Sequence, residues 1–300
     1  MFYLVIRTEN LTKYYGRNLG VQNITLEVEP GEVYGLLGTP GAGKTTIIRM
    51  LLDFIRPTSG RALILGREAH KHSMDIRRQV GFLPERFTFD GSQTAEIALR
   101  YLASLRGDVS WEYVQELCAQ FKLDLTRKCS LMTPLEQQKL GLVQAFMHRP
   151  ELLILDEPGR GLDAESLQVL FRLIRQARQE GRSVLYATQS LHEAERICDR
   201  VAVLHQGCLV AVERAVRLRG RALRKVEMRF AGPVSADIFS ALNNVENVRM
   251  EDNLLSCTVR GDPDSLIKLA SQYRVTDFIC QQPALEEVFN SYYGVGGHAA

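Results

Sequence analysis

The chain of 300 residues is 45% hydrophobic and 24% charged, with a formal net charge of +2; that suits one large or two modest globular domains with a well-buried core. The near-neutral balance, free of blocks of like charge, gives no reason to expect a nucleic-acid partner. No uninterrupted apolar stretch reaches the roughly 18 residues of a membrane span, and Cys118, Cys129, Cys198, Cys208, Cys257 and Cys280 lack the CxxC spacing of a zinc site.

In chain order, the N-terminus MFYLVIRTENLTK has an apolar run without a basic leader or cleavage site, so a cytosolic chain with reduced thiols is expected. Residues 2–8 and 22–28 read as strands, and GEVYGLLG at 31–38 as a buried strand ending in glycine. Next comes GTPGAGKTT, residues 38–46, followed by TTIIRMLLDFI at helical spacing until Pro57, Thr58, Ser59 and Gly60 make a turn. A GxxxxGK[ST] loop between strand and helix is a phosphate cradle. Gly38, Gly41 and Gly43 leave backbone amides bare, with Thr39, Pro40, Ala42 and Thr46 completing the loop. Lys44 brings an ammonium to the terminal phosphates, and the Thr45 hydroxyl suits Mg²⁺. The helix N-terminus faces the same anion.

Residues 92–147 are mostly helical in pattern, an insert within an α/β core, before ELLILDEP returns to a buried strand. That strand ends in Asp156, suited to the Mg²⁺ shell, and Glu157, suited to polarising a water. SVLYAT (183–188) and RVAVLHQG (200–207) are further strands around the helical SLHEAERICD, so a mostly parallel sheet is expected. Beyond Leu218 the pattern becomes KVEMRF, a helix in SADIFSALN, a hairpin in VENVRMEDNLLSCTV, a helix in PDSLIKLASQY, the strand VTDFIC and the helix ALEEVFNSYY. The basic RLRGRALRK between the two parts reads as a solvated connector.

The order GTPGAGKTT, GFLPE, QKLGLVQAFMHRPELLILDEPGRGLD and ATQSLHEAERICDRVAVLHQG resembles the ATPases of ABC transporters over residues 5–215. PALEEVF near the end is similar to the accessory domain of bacterial drug and bacteriocin exporter ATPases. The resemblance implies a P-loop NTPase with a RecA-like α/β core, an N-terminal antiparallel β subdomain and a helical insert, plus a small C-terminal α+β domain. The expected divisions are a nucleotide-binding domain at 1–217, with its helical subdomain at about 86–149, a linker at 218–225, an accessory domain at 226–294 and a mobile tail at 295–300. It also implies ATP and Mg²⁺ as ligands, separate multi-span membrane subunits, and a homodimer or heterodimer of cassettes peripheral to the cytoplasmic membrane face. Tyr15 matches the residue that stacks on adenine, and Gly161, Leu162 and Asp163 match a loop at the dimer interface.

Departures from the pattern concern the closing half of the site. Where the family reads LSGGQ, this chain has Met132, Thr133, Pro134, Leu135 and Glu136. Pro134 has no N–H to donate, and Leu135 puts a side chain where backbone approach is needed. Thr133 to Glu136 also reads as a capping box that only starts a helix, with the Glu136 charge repelling phosphate. Gln189 stands in place of a histidine and carries no charge. Glu85, in GFLPE, replaces a common glutamine and remains an adequate Mg²⁺ ligand. The expectation is an ATP-binding transport subunit with slow or partner-dependent hydrolysis. The alternative is a catalytically weak regulatory or scaffold subunit.

Overall fold

The computed structural model describes residues 4–217 and 223–281. The chain divides into two compact units, Met1–Val212 and Glu213–Ala300.

The first unit opens with β1 (Ile6–Tyr15), β2 (Asn18–Ile24) and β3 (Glu27–Val28), then β4 (Val33–Leu37) and α1 (Lys44–Leu51). There follow β5 (Ser59–Ile64), β6 (Arg67–Glu68), α2 (Ser73–Gln79), β7 (Val80–Leu83), α3 (Ala95–Ser104), α4 (Trp111–Gln120) and α5 (Pro134–Phe146). β8 (Leu152–Asp156), α6 (Ala164–Gln179), β9 (Ser183–Thr188), α7 (Leu191–Ile197), β10 (Arg200–His205) and β11 (Cys208–Arg214) complete it.

β2, β1, β5 and β6 form an antiparallel sheet in that order, with β3 also on β1. The other sheet runs β11-β10-β4-β9-β8-β7, and its strands from β10 to β7 are parallel. Every residue of β4, β8 and β9 is buried. Strands covered on both faces need continuous apolar runs such as VYGLL and LLILD rather than alternation. The parallel strands deliver their C-terminal ends to one edge, where open α/β sheets bind ligands. From the order of strands, the chain leaving β4, β9, β8 and β7 emerges side by side along that edge.

The helical insert starts cleanly because side chains cap it. Thr94 accepts from Ile97 N ahead of α3, and Ser110 accepts from Tyr113 N ahead of α4. α3 and α4 pack on α5, which packs on β7. The insert is thereby fixed to the edge of the parallel sheet.

The second unit holds β12 (Leu223–Phe230), α8 (Asp237–Ser240), β13 (Val245–Glu251), β14 (Leu254–Arg260), α9 (Asp264–Ala270) and β15 (Val275–Gln281). Its antiparallel sheet has the order β13-β14-β12-β15. Val226, Met228, Phe230, Phe239, Leu255 and Leu266 form its core, with the Phe230 and Phe239 rings stacked at 5.7 Å. The expected hairpin is β13 and β14.

Several expectations change. The first strand continues to Tyr15, and residues 22–28 are shared by β2 and β3 rather than forming one strand. β5, β6, α2, β7 and β11 had no sequence-based expectation. Leu223, Arg224 and Lys225, expected at the end of the linker, belong to β12; residues 218–222, the helix expected in ALEEVFNSYY and the tail lie outside the described residues.

Candidate nucleotide site

β4 ends against the loop of residues 38–46, and the close packing there explains its glycines. A Cβ on Gly38 would lie 2.7 Å from both Ala42 Cβ and Leu204 O. Gly43 has φ 103°, and a Cβ there would meet Val21 Cγ1 at 2.4 Å. Gly43 also caps α1, with no side chain bonded to the helix end and no acidic residue in the first turn. The first amides of α1 are thus left for an anion.

Lys44 is 6% exposed. Its Nζ donates to Gly38 O at 2.6 Å and Thr39 O at 3.3 Å, and lies 3.1 Å from Glu157 Oε1. Thr45 Oγ1 donates to Asp156 Oδ2 at 2.8 Å, joining the phosphate loop to the end of β8. Burial pushes the Asp156 carboxyl up to about 6, against the Thr45 hydrogen bond, which favours its anion. The second oxygen, Oδ1, is buried without a hydrogen-bond partner. An orphaned carboxylate oxygen beside a threonine hydroxyl fits a hard divalent cation such as Mg²⁺. No group of three or more His, Cys, Asp or Glu among the described residues could hold an ion alone. A cation at this position would therefore need phosphate oxygens as well.

Glu157 stands in the left-handed region at φ 51°, a strained backbone for a side chain with a Cβ. Its N–H donates to Ala187 O at 2.9 Å, and Gln189 N donates to its Oε2 at 3.3 Å. Gln138, from α5, donates to Pro158 O at 3.1 Å. Glu157 is tied by these bonds to the edge of the sheet and to α5.

A cavity of about 510 Å³ opens here, lined among others by Tyr15, Lys44, Thr45, Glu85, Glu157 and Gln189. Tyr15 is 44% exposed at the cavity, its hydroxyl 3.5 Å from Thr46 Oγ1. An exposed ring beside a phosphate loop can receive a base by stacking. Glu85 Oε1 accepts from Arg160 Nη1 at 2.7 Å. Arg160, between Glu157 and Gly161, matches no motif in the sequence, and its contact with a residue 75 positions away has no local signal.

The expected signature segment does not line this cavity. Thr133 caps α5, accepting from Glu136 N at 3.3 Å, while Glu136 Oε2 accepts from Thr133 N at 2.7 Å. Pro134 occupies the first helical turn and Leu135 is half-buried. Arg127 Nη1 donates to Glu136 Oε1 at 2.6 Å. The amide and hydroxyl of Thr133, with Arg127, hold the Glu136 carboxyl below its ordinary range. Its negative charge is therefore paired with Arg127, which reduces the expected repulsion of phosphate, while the Glu136 amide is taken up by the cap. Asp163 caps α6, accepting from Ser166 N at 2.7 Å, and lies 3.6 Å from Lys139 Nζ.

A phosphate loop at the end of the buried parallel strand β4, with an acidic pair at the end of β8 one strand beyond its neighbour β9, defines a P-loop NTPase. Residues 21–160 match the family model for ABC transporters. The chain is 37% identical over 212 residues to the bacitracin transport ATP-binding protein BcrA of Bacillus licheniformis, spanning 69% of this chain and 68% of that protein. It is 31% identical over 304 residues to BcrA of Enterococcus faecalis, spanning 98% of each. A solved ATP binding subunit of an ABC transporter matches with a TM-score of 0.67 and 28% identity over 72% of this chain and 92% of that one. A dimeric ATP-binding cassette with bound ADP and Pi shares the fold, at a TM-score of 0.62 and 22% identity over 70% of this chain and 98% of that one. The chain belongs to the ATP-binding proteins of ABC transporters. It is an ATP-binding subunit in a family of ATPases that dimerise and work with membrane permeases.

Proposed function

We propose that this chain, paired with a second cassette, couples ATP binding and partner-dependent hydrolysis to export through separate multi-span membrane subunits. The observation that carries the reading is the contrast between Glu157, held 3.1 Å from Lys44 at the cavity, and an α5 N-terminus already occupied by its own capping box. The bacitracin and multidrug transport names of its relatives support export of drug-like molecules. No described helix is long and apolar enough to cross a membrane, which agrees with a peripheral position on the cytoplasmic face.

Tyr15 stacks on the base, and residues 38–46 wrap the phosphates, with Lys44 leaving Glu157 for the more strongly charged tail. Thr45, Asp156 and Glu85 would hold Mg²⁺. The ion, when bound, neutralises phosphate charge. Glu157, released from Lys44, accepts a proton from the attacking water, and the Gln189 side chain donates a hydrogen bond without adding charge. Thr133, Pro134, Leu135, Glu136 and Asp163 face the partner cassette. In a homodimer both sites meet a closed α5, whereas a partner with open amides offsets the defect in one of them. The region from 226 to 294 serves as an accessory domain.

ATP turnover of the purified chain, alone and with its membrane subunits, tests this. Slow basal turnover, stimulated by the partner and lowered on the order of 100-fold or more by Glu157→Gln, is expected. Fast turnover by the isolated chain would remove the partner dependence. Turnover unchanged by Glu157→Gln would remove the catalytic assignment.

A further inference from the structure

Glu85 and Arg160 belong to loops that follow the neighbouring parallel strands β7 and β8, paired through Leu83 and Leu155 at their ends. Both residues line the cavity, and their ion pair spans 2.7 Å. The arginine is not a loose surface side chain by origin. Its N–H donates to the Glu157 backbone carbonyl at 3.1 Å, so a tight turn fixes its backbone next to that of Glu157. Gly159 in that turn packs on Glu193, where a Cβ would lie 2.4 Å from Oε1. Glu193 is itself fixed by the Tyr186 and Thr188 hydroxyls, each donating at 2.9 Å.

The charges around the cavity are unevenly committed. Lys44 is bonded to two carbonyls and to Glu157. Gln189 contributes no charge. Arg160 is about half exposed and is held by a single carboxylate, which itself faces the cavity. A guanidinium matches phosphate oxygens in a two-pronged geometry that an ammonium cannot reproduce. A carboxylate such as Glu85 prefers a divalent cation to a half-exposed arginine, because the cation carries twice the charge at shorter range.

We propose that Arg160 is a phosphate-binding residue of the nucleotide cavity, restrained by Glu85 and freed when that carboxylate turns to the nucleotide's divalent cation. The inference rests on the nucleotide-site reading above. It makes binding of the metal and recruitment of Arg160 one linked event, and ties the loop after β7 to the segment leading into Asp163.

The test is equilibrium ATP binding to the purified full chain, with Mg²⁺ or with EDTA, for wild type, Arg160→Gln, Arg160→Lys, Glu85→Gln, the double variant Glu85→Gln/Arg160→Gln, and Lys44→Ala. Arg160→Gln should weaken binding of ATP with Mg²⁺ by about 10-fold, with Arg160→Lys recovering part of the loss. Glu85→Gln should tighten metal-free binding by roughly 3-fold to 10-fold, and the double variant should abolish that gain. If the pair only fastens two loops, either single substitution breaks it and both shift metal-free binding in the same direction, which would overturn the proposal. Thermal melts identify any variant that fails to fold, and Arg160→Lys then carries the comparison alone: metal-dependent affinity equal to wild type would also overturn it. Lys44→Ala separates the two levels. Lost binding in that variant with unchanged binding in Arg160→Gln sinks the arginine inference alone, whereas wild-type affinity in Lys44→Ala sinks the nucleotide site itself.

Discussion

Two helices of the first unit begin in opposite ways. α1 starts at Gly43, in the left-handed conformation, with no side-chain cap and no acid in its first turn. α5 starts at Thr133, with a complete capping box, a proline in the first turn and Glu136 closing on the cap. Helix N-termini present unpaired amides and a positive end of the dipole, so either could attract an anion. α1 leaves its first amides free of side-chain caps, whereas in α5 Pro134 has no N–H and the Glu136 amide is bonded to the Thr133 side chain. The difference teaches that nucleotide binding and closure of the site over a partner's nucleotide are separable properties, decided at separate helix ends.

The contrast breaks most severely at Gly43. Gly43→Ala places a Cβ against Val21 at a φ that side chains rarely adopt, which should cost about 3 kcal/mol or more in denaturant unfolding and weaken ATP binding on the order of 100-fold. Wild-type affinity in a folded Gly43→Ala would mean that the loop geometry does not create the site. Opening α5 should act in the other direction. Combining Pro134→Gly, Leu135→Gly and Glu136→Gln frees amides and removes the acid, and should raise turnover at high protein concentration by about 10-fold. Unchanged turnover, with ATP-dependent dimerisation also unchanged by light scattering, would show that α5 is not the limiting element. The smallest effect belongs to the cap alone. Thr133→Ala should lower stability by about 1 kcal/mol, a fall in Tm of about 2–4 °C, while ATP affinity of the monomer stays constant. A loss of affinity there would join what the two helix ends keep apart.

Much of this was legible because it is local. The phosphate loop is nine consecutive residues, with glycines at the positions that require bare backbone, and the Thr133 cap is a four-residue pattern that the structure forms with both reciprocal hydrogen bonds. β4, β8 and β9 stood out as continuous apolar runs, since strands inside a parallel sheet are buried on both faces. β11 differs: it opens with the apolar run of residues 208–212, yet at the end of the sheet its residues stay half-buried or exposed. β5 begins with Ser59 and Gly60, which read as part of the preceding turn. Its pairing with β1 overrides that local preference.

The sequence by itself determined that a phosphate loop, an acidic strand end and an altered helix start are all present, because each is written in neighbouring residues whose chemistry is self-contained. Only the tertiary structure decided what they meet. Strand order brings Thr45 to Asp156 across 111 residues and Glu85 to Arg160 across 75. Those distances are set by which strands lie side by side, a property of the whole sheet that no short segment encodes. The same order determines which cations are already engaged: Lys44 at Glu157, Arg160 at Glu85 and Arg127 at Glu136. An anion that recruits Lys44 or Arg160 in the cavity must therefore exchange partners with a carboxylate that folding has already placed there.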